Sequence, residues 1–284
     1  MESNPLSELE SVIKLPLKER VASLAALGRR MVEHGANGSS GPLLSHLVDA
    51  LESGQGSGRE RMELGEVLGL LGDPRIATPE EDRYWVNVPG ETSLTIGRYP
   101  VTNAEFFQFV QDGGYENREL WSDEAWEWVQ STPDPWPSHA RKETSRVFVV
   151  ANQPVVAVSW YEAAAYAKAH GARLPRMDER VWVVRGAQKR PYPWGAPFGE
   201  GNANTQEEVL GRPCAVGLYV KDRTPEGVSD LAGNVAEWTS DQLAAEYLVH
   251  PGAWDQPSLA AWAKAATMHH PSSRWTNLGF RLAR

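Results

Sequence analysis

Two carboxylates flank a Gly-Asn corner in residues 229–241, which have the sequence SDLAGNVAEWTSD. Asp230 precedes the corner formed by Gly233 and Asn234, and Glu237 follows it. Calcium takes about six to eight oxygen ligands, and glycine allows the sharp backbone turn that points carbonyl oxygens inward. The segment therefore predicts either a calcium-binding loop or an ordinary polar turn held by Asx hydrogen bonds.

Redox chemistry is limited by the cysteine and histidine content of the chain. Cys214 is the single cysteine, which excludes an internal disulfide and a CxxC metal site. A mononuclear iron site needs two converging histidines and usually a third ligand. His34 and His46 are separated by a Gly/Ser linker, and on a strand the adjacent His269 and His270 would face opposite ways. We therefore expect neither copper nor iron, and no nucleophile elbow, Walker loop or Rossmann fingerprint is present.

The bulk composition indicates a folded protein that does not bind nucleic acid. Hydrophobic residues make up 41% of the chain and charged residues 23%, so a sizeable core is expected. The net charge of -9 argues against a partner held through phosphate contacts. No apolar run approaches the roughly 20 residues of a membrane span, and the N-terminus lacks a signal region. We expect a cytoplasmic protein without a membrane partner.

The first part of the chain has the spacing of amphipathic helices. Residues 6–34 carry Leu and Val three and four positions apart, and Pro16 interrupts this pattern. Two further helical patterns follow, SHLVDALES and RERMELGEVLGLLG, and Gly72 and Pro74 close the second. We predict an all-helical N-terminal region over residues 1–75.

From about residue 84 the pattern changes to short strands, turns and a few helices. The sequences TNAE (102–105) and SWYE (159–162) are capping boxes, each of which opens a helix. A third helix is predicted over residues 177–187, where the acidic pair Asp178 and Glu179 indicates a solvated helix face. Beyond Pro191 the chain is rich in Gly, Pro, Asn and Trp, which is typical of irregular structure ordered by function or by an ion. We predict an α+β domain over residues 76–284.

A set of collinear segments within this domain resembles the formylglycine-generating enzyme (sulfatase-modifying factor) family. The resemblance implies a C-type-lectin-like α+β fold with two helices, small sheets and much irregular chain. Arg176, Met177 and Arg180 stand where Thr, Glu and Trp are common in the family. The matching segments are RYPVTNAEFFQFV, PVVAVSWYEAAAYAKAHGARLPR, RGAQKRPYPWG, GNANT, GVSDLAGNVAEWTSD, GAWD and NLGFRLA.

The resemblance implies a protein without the family's usual chemistry. Formylglycine-forming members use two cysteines near the C-terminus to bind copper, and soft sulfur ligands select Cu(I). Here the corresponding region LAAWAKAATMHHPSSRW contains none. A second branch joins sulfur to histidine derivatives with non-haem iron, using histidines from a separate helical domain. The N-terminal region offers no HxxxH motif for that role.

The resemblance also implies a structural calcium ion in the loop at residues 229–241. Carried over residue by residue, Asp230 and Glu237 would supply side-chain oxygens, while Gly233 and Val235 would supply main-chain carbonyls. A second family site would begin at Asn204 with the carbonyl of Thr205. The segment EEVLGRPCAV has no aspartate in register, so the ligand set of that second site is incomplete in this sequence.

The C-terminal segment keeps the family's fixed points while the positions between them differ from the family pattern. Such a segment is typical of a ligand-display surface, and it resembles the variable proteins of diversity-generating retroelements. Exposed aromatic and mixed polar side chains suit recognition. Trp254 belongs to a scaffold motif, so a core position is the favoured alternative for its ring. The candidate contact residues are Trp254, Asp255, Gln256, Trp262, Met268, His269, His270 and Trp275.

The sequence thus supports three functional hypotheses. The first is a non-catalytic ligand-binding protein, stiffened by calcium, that presents its C-terminal surface to a protein or peptide. The second is a divergent metal-dependent oxidoreductase of the same family with ligands not recognisable in the sequence. The third is an adaptor whose N-terminal helices contact an effector partner.

Overall fold

The computed structural model describes residues 5–33, 41–90, 93–132 and 147–284. Within them, a helical N-terminal region precedes an α+β domain with much irregular chain, so the predicted architecture is confirmed. His34 lies outside the described residues. None of the helices in the described ranges is both long and apolar enough to cross a membrane.

The N-terminal region consists of four helices whose ends follow the sequence signals. Pro16 separates the first two helices, and a capping box of Ser57 and Glu60 opens the fourth, which ends at Gly72. The helices are α1 (Pro5–Val12), α2 (Leu17–Glu33), α3 (Gly41–Glu52) and α4 (Gly58–Leu71).

The four helices share a hydrophobic core with a segment of the following domain. Cys214, Leu218 and Tyr219 belong to the same buried cluster as the inner faces of α2, α3 and α4. At Gly65 of α4 an added Cβ would lie 2.8 Å from the Cβ of Ala215, so the two backbones approach closely. The helical region is therefore packed into the domain.

Polar contacts reinforce this packing at its edge. The guanidinium of Arg223 donates to both carboxylate oxygens of Glu52 at 2.8 and 3.0 Å. Arg61 lies over the ring of Tyr219, 4.7 Å from its centroid. Because these contacts join residues far apart in sequence, they fix the orientation of the helices against the domain.

The second part of the chain contains four helices and six short strands in the described residues. The predicted capping boxes at residues 102–105 and 159–162 are both present, with side-chain and backbone bonds in each. The helices are α5 (Asn103–Gln111), α6 (Asp123–Ser131), α7 (Trp160–Ala169) and α8 (Met177–Arg185). The strands are β1 (Trp85–Val88), β2 (Leu94–Gly97), β3 (Ala236–Leu243), β4 (Glu246–His250), β5 (Thr267–His269) and β6 (Leu278–Gly279).

The strands form two sheets. Strands β1 and β2 make an antiparallel pair, and the larger sheet has the order β5-β4-β3-β6. Strand β6 runs parallel to β3, with Ala236 opposite Leu278, whereas the other pairs are antiparallel. Because β5 lies at the edge of the larger sheet, its side chains are available to line a surface.

The prediction of a solvated face on α8 is wrong for one of its two acids. The side chain of Asp178 is 75% exposed, whereas that of Glu179 is only 8% exposed. Both oxygens of Glu179 accept hydrogen bonds from Arg173, at 2.7 and 2.8 Å. Burial alone would raise the pKa of Glu179, but Arg173 and the amide of Arg176 lower it. Glu179 is therefore a structural ion-pair partner.

The shared core predicts that substitutions in α4 destabilise the whole chain. Leu64 is fully buried in that core, so we expect Leu64→Ala to lower the free energy of unfolding by about 2–5 kcal/mol. Leu70 lies on the same helix but is 56% exposed, so Leu70→Ala should change it by less than about 0.5 kcal/mol. Urea denaturation followed by tryptophan fluorescence and circular dichroism measures both. Separate transitions for the helices and the domain would contradict the shared core.

Candidate functional site

A groove lies against the larger sheet. Most of its lining belongs to the C-terminal segment in which the sequence predicted a recognition surface. Its volume is about 260 Å³. The floor consists of Ala236, Val249 and Leu278, which are buried residues of β3, β4 and β6. Polar and aromatic side chains form its walls: Asp255, Gln256, Thr267, His269, Trp275, Thr276 and Asn277.

The pairing of β3 with β6 positions the acidic wall of this groove. The amide of Ala236 donates to the carbonyl of Asn277 at 2.7 Å, which holds Asn277 beside the floor. Its side-chain amide donates to both oxygens of Asp255, at 2.8 and 3.0 Å. Oδ1 of Asp255 also accepts from the side-chain amide of Gln256 at 3.3 Å, so two neighbouring amide groups orient this carboxylate.

Helix α7 positions the opposite wall. The N-terminus of α7 holds residues 271–275 through hydrogen bonds. The backbone N–H of Trp160 donates to the carbonyl of Pro271 at 2.9 Å, and Arg274 donates to both oxygens of Glu162, at 2.6 and 3.2 Å. Burial raises the pKa of Glu162, although the charge of Arg274 opposes this. With its backbone held in this way, Trp275 presents a ring that is 55% exposed.

Strand β5 contributes alternate side chains to the groove. Thr267 and His269 line it, and Met268 between them lies outside that lining, as the period of two in a strand requires. The ring Nε2 of His269 lies 3.3 Å from the hydroxyl oxygen of Thr267. Burial lowers the pKa of His269, which favours the neutral imidazole, and a neutral imidazole can both donate and accept.

The structure brings together four of the eight residues predicted to contact a ligand: Asp255, Gln256, His269 and Trp275. Trp254 is half-buried, with its ring 6.1 Å from that of Phe148 and its indole N–H donating to the carbonyl of Thr276 at 3.4 Å. Trp254 therefore supports the wall from behind.

The other three predicted residues, Trp262, Met268 and His270, are exposed but do not line the groove. Sequence reasoning missed Asn277, which orients Asp255. The signal that could have found it is its position as the first residue of the matched segment NLGFRLA. The ligand-binding role of all these residues stays a prediction.

The arrangement can bind a ligand by complementary polar and aromatic contacts. A fixed carboxylate accepts hydrogen bonds from ligand N–H or O–H groups, and a neutral imidazole adds a donor and an acceptor. The exposed indole of Trp275 offers a flat apolar surface with few rotatable bonds. Among the described residues, no group of three or more His, Cys, Asp or Glu side chains is placed to hold a metal ion.

The acidic residue that ends the predicted calcium loop is already paired with two arginines. Glu237 Oε2 accepts from Arg180 Nε at 3.0 Å and from Arg281 Nε at 2.9 Å, and Oε1 accepts from Arg281 Nη2 at 2.6 Å. All three side chains are at most 1% exposed. Burial alone would raise the pKa of Glu237, but the two guanidinium groups lower it to about 2.

Two of the three remaining predicted ligands, Asp230 and the carbonyl of Gly233, also have protein partners. Asp230 accepts from the amide of Gly217 at 2.7 Å, and the carbonyl of Gly233 accepts from the amide of Val235 at 3.0 Å. A calcium ion coordinated by Glu237 would lie beside two buried positive charges, which is electrostatically unfavourable. The residues present therefore do not fit the ligand set that the resemblance implies.

The second calcium site implied by the resemblance would begin at Asn204, whose two side-chain polar atoms differ in hydrogen bonding. Asn204 donates through its side-chain amide to the carbonyl of Arg212 at 3.1 Å, while its Oδ1 is buried without a hydrogen-bond partner in the described residues. No aspartate stands in the segment that would complete a site there. The geometry thus adds no charged ligand to Asn204 and Thr205.

The ion pairs of Glu237 generate a prediction about calcium and stability. We expect chelator-treated protein to keep its Tm when millimolar calcium is added, because both oxygens of Glu237 already accept from guanidinium groups.

Arg180→Met should lower the free energy of unfolding by about 3–5 kcal/mol, since it leaves a buried carboxylate underpaired. Arg176→Met, on the exposed end of the same helix, is the matched control and should change it by less than about 1 kcal/mol.

Differential scanning calorimetry with and without calcium measures these effects. A calcium-dependent rise in Tm that disappears in Glu237→Gln would contradict the geometry described here and restore the calcium prediction.

Comparison with known proteins places the α+β domain in a family. Residues 78–284 match the model of the sulfatase-modifying factor enzyme 1-like domain. The hercynine oxygenase of Mycolicibacterium thermoresistibile is 34% identical over 238 residues, covering 73% of this chain and 52% of that protein. The inactive C-alpha-formylglycine-generating enzyme 2 of Mus musculus is 30% identical over 235 residues, covering 67% of this chain and 74% of that protein.

A solved structure supports the fold. The structure of PvdO from Pseudomonas aeruginosa superposes with a TM-score of 0.51 at 20% identity, covering 71% of this chain and 90% of that one. The predicted C-type-lectin-like fold of the formylglycine-generating type is thereby confirmed. The chain spans about half the length of the hercynine oxygenases that it matches. The family model covers most of the chain, and the chain belongs to the sulfatase-modifying factor (formylglycine-generating enzyme) family.

Proposed function

We propose that this protein is a non-catalytic ligand-binding protein whose C-terminal groove takes a segment of a protein or peptide. The observation that carries the proposal is the meeting of Asp255, Gln256, His269 and Trp275 around one cavity. Asp255 ends the matched segment GAWD, whereas Gln256, His269 and Trp275 lie between the segments that match the family pattern.

The size of the groove favours a peptide side chain over a free small molecule. Pockets for drug-sized ligands measure roughly 300–1,000 Å³, whereas this groove has about 260 Å³. One anchoring side chain, with flanking backbone across Trp275, would fill it. Because Asp255 is an oriented acceptor, an anchor that donates hydrogen bonds, such as Lys, Arg, Asn or Gln, suits the groove best.

Two further facts support binding over catalysis. The chain has one cysteine, and Cys214 is buried in the core shared with the N-terminal helices, where burial raises its pKa well above the ordinary value. It therefore cannot take the place of a surface pair of thiolates. The mouse relative at 30% identity is named as an inactive enzyme, which is a precedent for this scaffold without activity.

The proposal also includes an effector partner that binds the N-terminal helices, and diversification of the groove residues by a retroelement. An effector partner would contact the outer faces of the N-terminal helices, because their inner faces are consumed by the core shared with Cys214, Leu218 and Tyr219. Diversification of the groove by a retroelement would require a template repeat and a reverse transcriptase gene beside the locus. A cytoplasmic location also belongs to this proposal.

Selection from a displayed peptide library with the full chain tests the groove. We expect enriched peptides to bind Trp275→Ala and Asp255→Asn about tenfold or more weakly, since an aromatic anchor and a charged hydrogen bond are each worth more than about 1.4 kcal/mol. Trp262→Ala is the matched control: this ring is 40% exposed but outside the groove, so affinity should change less than about twofold. Isothermal titration calorimetry measures the affinities. Failure to enrich any sequence, or equal loss in all three variants, would argue against the groove.

The second candidate function is a divergent metal-dependent oxidoreductase, favoured by the 34% identity to a hercynine oxygenase. Trace-metal analysis of protein purified without added metal distinguishes the two functions. For a binding protein we expect copper and iron well below one equivalent per chain. Stoichiometric copper or iron that survives dialysis, together with oxygen consumption on a cysteine-containing peptide or a histidine derivative, would replace the binding proposal with the enzyme.

A further inference from the structure

Two apolar side chains beside the groove are the most exposed of their kind in the described part of the chain. Leu259 is 78% exposed and Val209 is 77% exposed, the two highest values for a large hydrophobic residue within the described ranges. Neither of them lines the groove. A single exposed apolar residue is ordinary on a protein surface, so the significance of this pair depends on whether the two lie together.

Hydrogen bonds hold together the two loops that carry these side chains. The amide of Gln206 donates to the carbonyl of Gln256 at 2.9 Å, and the amide of Ser258 donates to Glu207 Oε1 at 2.8 Å. Each of these four residues lies within three positions of one of the two exposed side chains. The two side chains therefore belong to adjacent loops that are fixed to each other.

Val209 is held in a backbone conformation that opposes its side chain. Its φ is 55° and its ψ is 29°, which is the left-handed region. Valine rarely adopts this conformation, because its branched Cβ crowds the neighbouring backbone there. The fold gains little in return, since the exposed side chain buries little apolar surface. A strained and exposed valine is thus better explained by a contact outside the chain than by folding.

The two loops are continuous with the C-terminal groove through Gln256. The carbonyl of Gln256 accepts from Gln206 of the first loop, and the same residue lines the groove, where its side-chain amide donates to Asp255 at 3.3 Å. Leu259 follows three positions later in the same loop. A ligand that extends beyond the groove on this side meets both loops.

The size of the groove favours a ligand that extends in this way. A stable protein–protein interface buries about 800 Å² on each partner. The groove has a volume of about 260 Å³ and accommodates one anchoring side chain, so it supplies only part of such an interface. Exposed apolar side chains next to it supply more, and a folded protein has the surface to cover both regions.

We propose that the ligand is a folded protein, with one side chain anchored in the groove and an apolar patch packed against Val209 and Leu259. This inference rests on the proposed binding function and adds the kind of partner that the site recognises. Burial in the complex removes two large apolar side chains from water, which the isolated chain does not achieve.

Two probes test the kind of partner. The first is the set of peptides selected on the groove, and the second is a displayed library of randomised fibronectin type III domains, from which only domains displaced by those peptides are kept. We expect Leu259→Asn to weaken the folded domains about tenfold or more and to leave peptide affinity within about twofold. Leu70→Asn, at a site on α4 that is 56% exposed, is the matched control and should change neither affinity by more than about twofold. Isothermal titration calorimetry measures all of them.

Val209→Asn separates a binding role from a structural one. Asparagine tolerates the left-handed conformation and is polar, so we expect the Tm to stay the same or rise. The affinity for the folded domains should fall about threefold or more, because an apolar contact is lost. A valine kept only for the fold would give the opposite pattern, with a lower Tm and unchanged affinity. Differential scanning calorimetry measures the Tm.

Three outcomes would overturn the proposal. Domains that compete with the peptides but bind Leu259→Asn and Val209→Asn as tightly as the original chain would make the groove the whole interface. A concentration-dependent dimer in sedimentation velocity that Leu259→Asn dissociates would identify a second copy of the chain as the occupant. A lower Tm in Val209→Asn with unchanged affinity would assign this valine to the fold. Failure to select any groove peptide is a separate result, which would remove the proposed function on which the inference rests.

Discussion

The buried cluster of Arg180, Glu237 and Arg281 is the interaction on which the arrangement of the domain depends. It joins α8, β3 and the segment after β6, and each of its side chains is at most 1% exposed. A buried charge is costly unless it is paired and hydrogen-bonded, so displacing any one of these three elements would leave a buried charge without its partner. The guanidinium groups also donate to the carbonyls of Leu231 and Asp230, at 2.7 and 2.9 Å, which brings the Gly-Asn loop into the same unit.

The cluster also determines the geometry of the groove on the opposite face of the strand. Successive residues of β3 point to opposite faces, so Glu237 reaches the arginines while its neighbour Ala236 forms part of the groove floor. The pairing of Glu237 with Gly279 sets the register between β3 and β6. That register places Asn277 where its side chain can orient Asp255. A groove whose walls are largely irregular chain is thus connected, through β3, to the ion cluster behind the sheet.

Features encoded by local spacing could be predicted from the sequence, whereas features that depend on distant partners could not. The capping box at residues 102–105 is complete within four residues, so its helix was predictable from the pattern alone. Glu179 was misassigned because its partner Arg173 lies before the helix, outside the helical repeat that indicated an exposed face. Met268 and His269 were grouped as one surface, although strand alternation separates neighbours once β5 is recognised. The location of the groove could therefore be predicted from the sequence, whereas identifying the residues that line it required the strand register.

Arg180 explains why the loop at residues 229–241 keeps the family's sequence pattern without a fitting calcium site. A calcium ion draws carboxylate and carbonyl oxygens together from any direction, whereas a guanidinium does so only along its N–H bonds. Arg180 has both kinds of acceptor along those bonds, the carboxylate of Glu237 and the carbonyl of Leu231. Because the guanidinium of Arg180 is part of the chain, it is present at the loop at any concentration of free calcium. The order of the loop, and through β3 the shape of the groove, would then be independent of free calcium, in contrast to a scaffold stiffened by a dissociable ion.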